Sequence, residues 1–241
     1  MTDTSADTPA GDPAGPPPGA PAAEHPALAG RALEAGALTD AVRRLIGLCV
    51  TTTAPAVATM AAARALDVIA DALERHVPDP LFPKTLMTDP GDGETDLAAR
   101  MPFDFVIGRH NPLALPLDLT FEPPVALLRG AFTRPYEGPP DCVHGAVLAA
   151  SFDIVFAAAN FIAGLPGPTA KLEITYRRPT ALYEPCLFEG RVEAREGRRV
   201  RTVGRLIQRD RVTVEAAGDF VLLDRADIAR MAERARTGHG G

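Results

Sequence analysis

The stretch "GPPDCVHGAVLAASFDIVFAAANFIAGLP", Gly138 to Pro166, decides how this chain is read. From Val143 to Leu165 it is almost wholly apolar, yet Asp153 stands in its middle. Burying an unpaired carboxylate costs roughly several kcal/mol, so a chain rarely keeps one in such a place without a use for it. Length and alanine content make Val143 to Ala163 a helix. A helix apolar on all sides must be covered on most of them.

The cover is found on either side of it. Before it, "LDLTFEPPVALLRGAF" (Leu117 to Phe132) alternates as a strand pair, with Pro123 and Pro124 confined to the turn. After it come "TAKLEITYRRP", "CLFEGRVEAR", "RRVRTVGRLIQR" and "VTVEAAGDFVLL", read as four consecutive strands joined by short turns such as Glu196-Gly197 and Arg209-Asp210. A curled antiparallel sheet wrapped around one long central helix is the simplest solution, an α+β fold.

Further out, residues 1–28 are rich in Pro, Ala and Gly and read as a disordered tail. Residues 29–100 form a helical extension and connector: helical periodicity runs from Arg31 to His76 with an interruption near Pro55, and a loop-rich segment containing "PGDG" follows. Thr39 and Asp40 offer caps within the helical part. The domain proper is 101–224, and 225–241 is a polar helix and tail, the helix spanning Arg225 to Arg236.

The net charge of −6 over 241 residues argues against a general nucleic-acid binder. Three cysteines, Cys49, Cys142 and Cys186, have neither the even number nor the spacing of a disulfide framework or a zinc knuckle. The acidic start "MTDTSADTPAGD" lacks the basic flank of a signal peptide, so a cytoplasmic setting is expected. Val143 to Leu165 is long enough to span a bilayer, but an aspartate at mid-depth speaks against a membrane.

A helix beginning near His144 leaves its first N–H groups unpaired, those of Gly145 and Ala146 among them. With the helix dipole behind them, such donors suit an oxyanion. Glycine at 145 lets a ligand approach the backbone. Asp153 supplies a carboxylate that can activate water or attack as a nucleophile.

"YEGPPDCVHGAVLAASFD" followed by "LEITYRRP" resembles the hotdog-fold acyl-CoA thioesterases of the 4-hydroxybenzoyl-CoA and PaaI-like type, over Asn111 to Leu223. "NPLALPLDL" resembles the segment that opens the domain in bacterial members. The resemblance implies a His-Gly-Gly helix start, an acid nine residues after the His, and the roles already described for Gly145 and Asp153. It places Thr169 where relatives carry a Ser or Thr that positions water. It implies hydrolysis of a small or medium acyl-CoA with no metal and no redox cofactor, coenzyme A entering only as part of the substrate. It also implies a homo-oligomer, a dimer or a dimer of dimers. The pattern is departed from at Ala146, where relatives have the second glycine. Gly138 stands where many have Asn, and Ile154 where others have Glu.

Competing readings stand beside these. His144 serves the loop before the helix structurally, or touches the chemistry. Cys142 and His144 do not form a catalytic pair, since alternate residues do not face each other on a helix. Asn160 reads as a packing group, and the Ala146, Ala149, Ala150 and Ala157 series as a small-residue packing face. Arg191 to Arg211 holds eight arginines against three acids; Arg199, Arg201 and Arg205 share one strand face, either solvated or a phosphate dock. Arg177 and Arg178 are the better candidates for holding the phosphates of coenzyme A. The alternative to an enzyme is a non-catalytic acyl-CoA or acyl-carrier binding module on the same fold. A hotdog dehydratase needs an Asp/His pair whose spacing is missing.

Overall fold

The computed structural model of the chain describes residues 25–82, 84, 97–224, 226, 227 and 230. Strands β1 (Leu117–Glu122) and β2 (Val125–Gly130) form the expected hairpin around Pro123 and Pro124. Ahead of them lies one turn of helix, α3 (Leu97–Arg100), and ahead of that the long helices α1 (Ala32–Cys49) and α2 (Ala56–Glu74). The central helix α4 (Gly145–Ile162) follows the hairpin. Four strands come after it: β3 (Thr169–Tyr176), β4 (Cys186–Glu196), β5 (Arg199–Gln208) and β6 (Arg211–Val221). All six strands join one antiparallel sheet, in the order β1-β2-β4-β5-β6-β3. This is the hotdog arrangement, a sheet with one helix laid across it.

That order corrects one expectation. β3 is not joined to β4 by a short turn. The segment 177–185 carries the chain across the sheet, so β3 pairs with β6 and takes the outer edge. Four strands of similar pattern do not declare their neighbours, because antiparallel pairing satisfies each equally well.

α4 is held by a trough in the sheet. A β-carbon on Gly204 would stand 2.6 Å from the Phe156 ring, and one on Gly218 3.1 Å. Only hydrogen at these positions on adjacent strands lets the ring settle onto the backbone. Phe132, Phe152, Phe156, Phe188 and Phe220 are all fully buried around this contact. Phe152 meets Phe188 edge-on at 5.2 Å, and Phe156 meets Phe220 at 6.4 Å. Each such burial contributes about 1.5–3 kcal/mol, which makes this cluster the main anchor of the helix.

The helix is not enclosed all round. Ala146 is exposed, and Ala149, Ala150, Asp153 and Ala157 are half-buried, forming a stripe of small residues that the sheet leaves open. α4 is also the one described helix long and apolar enough to cross a membrane, with half of it buried in the fold.

Two N-terminal expectations change. His25 and Leu28 are buried, so the ordered chain begins earlier than residue 29; residues 1–24 of the expected tail lie outside the described residues. Thr39 lies inside α1 with its hydroxyl donating to the Ala35 carbonyl at 2.8 Å, so it does not cap the helix. The "PGDG" loop and most of the helix expected from Arg225 to Arg236 also lie outside the described residues. Asp227 there accepts a 2.7 Å bond from Arg198.

Candidate active site

α4 begins at His144, whose extended backbone (φ −63°, ψ 134°) makes it the cap residue. Its Nδ1 accepts the Ala146 N–H at 3.0 Å. In this geometry the ring proton sits on Nε2, and the doubly protonated ring has no lone pair left to cap with. The His144 N–H in turn donates to the Tyr136 carbonyl at 2.9 Å, which pins the helix start to the loop before it. Of the two N–H groups expected to be open here, that of Ala146 is therefore engaged by His144. The Gly145 N–H has no acceptor among the described residues.

Tyr176, at the end of β3, closes over this helix start. Its hydroxyl donates to the Gly145 carbonyl at 2.9 Å, and a β-carbon on Gly145 would lie 3.0 Å from that oxygen. The glycine thus makes room for the tyrosine. Tyr176 stands in "LEITYRRP", where nothing in the sequence singles it out for this contact. Nothing in the chain's local pattern says that a strand end will lie against a helix start.

Asp153 lies eight residues along α4, about 12 Å at 1.5 Å per residue. It is half-buried on the open stripe. The Thr169 hydroxyl, at the start of β3, donates to its Oδ1 at 2.6 Å. That bond orients the carboxylate and leaves Oδ2 for another donor. β3 therefore reaches both ends of the site, Asp153 through Thr169 and Gly145 through Tyr176. A carboxylate of this kind can take a proton from water, and an open N–H at a helix start can hold an oxyanion.

The other candidates are placed as follows. Arg177 pairs with Glu215 at 2.7 Å, and Arg178 donates to the Val212 carbonyl at 2.9 Å; both are exposed just beyond Tyr176. Arg199 and Arg201 grip Asp219 at 2.6 and 3.1 Å, which holds that carboxyl below its usual range, and Arg205 pairs with Glu189 at 2.7 Å. Asn160 is buried, its side-chain oxygen accepting from Thr202 at 2.5 Å. Burial pushes the Cys186 thiol up to about 11, against an opposing hydrogen bond from Gln208, so it is a poor nucleophile. Among the described residues no cluster of three or more His, Cys, Asp or Glu side chains could hold a metal ion.

One antiparallel sheet with a single long helix laid across it defines a class, the hotdog-fold proteins. Residues 141–215 match the family model of the thioesterase superfamily. A crystal structure of a thioesterase superfamily protein is 32% identical, with a TM-score of 0.69, over 78% of this chain and 94% of that one. This chain belongs to the thioesterase superfamily. The PaaI protein of E. coli, from the phenylacetic acid degradation operon, is 15% identical over 45% of this chain and 80% of its own, with a TM-score of 0.42. The smu.793 protein of Streptococcus mutans, solved bound to acetyl CoA, is 14% identical over 44% and 88%, also at 0.42. No curated protein matches.

Proposed function

We propose that this protein hydrolyses the thioester of a small or medium acyl-CoA. The observation that carries the reading is Asp153, a carboxylate on the open stripe of α4, oriented by Thr169 at 2.6 Å. Asp153 takes a proton from water as the water oxygen bonds to the thioester carbonyl carbon. The carbonyl oxygen becomes an oxyanion held by the Gly145 N–H and the positive end of α4. When the tetrahedral intermediate collapses, the C–S bond breaks, and the proton returns from Asp153 to the departing coenzyme A sulfur. His144 acts by holding the helix start, not on the substrate. Arg177 and Arg178 lie beyond Tyr176 as the phosphate dock, where an incoming phosphate competes with Glu215 for Arg177.

The separation of about 12 Å along α4 requires two chains. A general base works within about 3 Å of its target, or through one water, so Asp153 cannot serve a carbonyl held at the start of its own helix. The open small-residue stripe and the free edge of β3 supply the surface for a second copy. An antiparallel α4 from that copy places one chain's Asp153 opposite the other's Gly145, and two-fold symmetry makes two sites.

Thiol release across a panel of acyl-CoAs tests the reading, with Asp153→Asn as the variant. The amide keeps an oxygen for Thr169 but removes the base. Turnover should fall at least about 100-fold while acyl-CoA binding persists. Undiminished turnover in the variant refutes the role of Asp153. A wild type that binds acyl-CoA and never cleaves it identifies the binding module instead.

A further inference from the structure

The start of α4 is short of donors for the reaction proposed there. Oxyanion sites are ordinarily built from more than one hydrogen-bond donor converging on a single oxygen. Of the two N–H groups expected to serve, that of Ala146 is spent on His144 Nδ1 at 3.0 Å, which leaves the Gly145 N–H. Tyr176 brings a hydroxyl to the same place.

The distances bring it within reach. A β-carbon on Gly145 would lie 3.0 Å from the Tyr176 hydroxyl oxygen. A β-carbon and the nitrogen of its own residue are about 2.5 Å apart, so that oxygen stands within about 5.5 Å of the Gly145 nitrogen. Two donors that share one acceptor, each at about 2.9 Å, are separated by at most about 5.8 Å. One oxyanion can therefore be met by both. Tyr176 is 53% exposed and not sealed in the core. Its present bond, to the Gly145 carbonyl at 2.9 Å, is one it can give up. That carbonyl lies in the first turn of α4, where the helical pattern assigns it the Ala149 N–H as well. It is also the weaker acceptor, since a hydrogen bond to a charged oxygen is roughly twice as strong as one to a neutral oxygen.

We propose that the Tyr176 hydroxyl is the second oxyanion donor, completing a pair with the Gly145 N–H. The inference rests on the thioesterase reading, under which a carbonyl is held at the start of α4. No proton leaves Tyr176. Its hydroxyl turns from the Gly145 carbonyl to the substrate oxygen as the water oxygen bonds to the thioester carbon, and turns back once the C–S bond breaks. The bond to the charged oxygen exists only in the transition state and the intermediate, so it lowers the barrier without tightening the substrate's binding. In the two-chain site the donor pair comes from one chain, and Asp153 with Thr169 from the other. The two ends of one β3 then serve different sites.

Tyr176→Phe keeps the ring and removes the hydroxyl. On the acyl-CoA that wild type cleaves fastest, kcat should fall about 10- to 100-fold, less than in a sealed site because water can stand in for the lost donor. Acetonyl-CoA, an uncleavable ketone, presents a neutral carbonyl, and its binding by calorimetry should stay within about twofold. The denaturation midpoint should be unchanged. A hydroxyl that only holds the helix start would weaken the ketone and lower the midpoint along with kcat, and that result overturns the proposal. Should Tyr176→Phe fail to fold, 3-fluorotyrosine placed at position 176 supplies the second variant. It keeps the hydroxyl and makes it a stronger donor, so kcat should match or exceed wild type below the pH at which the new phenol ionises; a fall overturns the assignment. Wild type that cleaves no acyl-CoA ends the thioesterase reading and this inference together. Cleavage by wild type that is undiminished in Tyr176→Phe removes Tyr176 alone.

Discussion

A β-carbon on Gly138 would stand 2.8 Å from His144 Cα and 3.2 Å from its Cβ. Its N–H donates to the Cys142 carbonyl at 2.9 Å, closing the loop that presents the cap. At this position, where the resemblance implies Asn in many relatives, His144 occupies the space a side chain needs. Gly138→Asn, though it restores the family pattern, should destabilise the protein by about 1–3 kcal/mol and lower activity rather than raise it. Denaturant unfolding and thiol release check this, and a variant as stable and more active would contradict it. Ile154 is a parallel case. It is buried in the core, so a Glu there would place an ionisable group among aliphatic side chains. That Asp153 and Gly145 lie eight residues apart on one helix was legible in the sequence, because helical periodicity and length specify it. The engagement of the Ala146 N–H was not, since it depends on an imidazole turning back onto its own helix.

The elements divide by how they are held. α4 is clamped by buried phenylalanines, whereas α2 has no buried residue and depends on its alanine-rich composition for helicity. α1 lies between these cases, docked through Arg43 and passing close to His110, whose ring a β-carbon on Gly36 would meet at 3.9 Å. His110 has an enclosed Nδ1 and a pKa lowered first by burial and then by Arg109, Arg43 and Arg31. The folded state therefore disfavours the protonated ring. Its contribution is fully present above the unfolded value of 6.5 and is lost as pH falls below it, because the unfolded chain then binds more protons. Denaturation midpoints should fall between pH 7 and pH 5.5 in wild type and fall less in His110→Gln. Parallel slopes would remove His110 from the account. Both long helices were legible from periodicity around Pro55, and the β1–β2 hairpin from its two prolines. Neither pattern could report that α2 has no buried residue, because an amphipathic stripe records a capacity for contact and not the contact itself. The place of β3 was hidden for a related reason, since pairing partners are chosen by the whole sheet.

At the scale of the molecule, the proposed site exists only between copies. Asp153→Ala removes the acid, and Gly145→Pro removes the N–H at a first helical position, its added carbons requiring the Tyr176 side chain to give way. Each variant should be inactive alone. Co-refolded in equal amounts, half the dimers are mixed and each mixed dimer has one intact site, so about a quarter of wild-type activity should return. Mixtures that stay inactive despite demonstrated heterodimers, or a fully active monomer, would exclude the shared site. β3 has a further consequence for how such a protein can drift. Thr169 and Tyr176 bracket the strand, one bonded to the acid and the other to the helix start. A strand advances in steps of about 3.3 Å and turns each successive side chain to the opposite face. Seven positions apart, the two residues would face opposite ways on a regular strand, and the irregular register between Thr169 and Lys171 is what lets both meet α4. An insertion or deletion between Lys171 and Tyr176 would therefore unseat one of the two contacts. Descendants of this chain are free to exchange the side chains along that edge, but not to change its length.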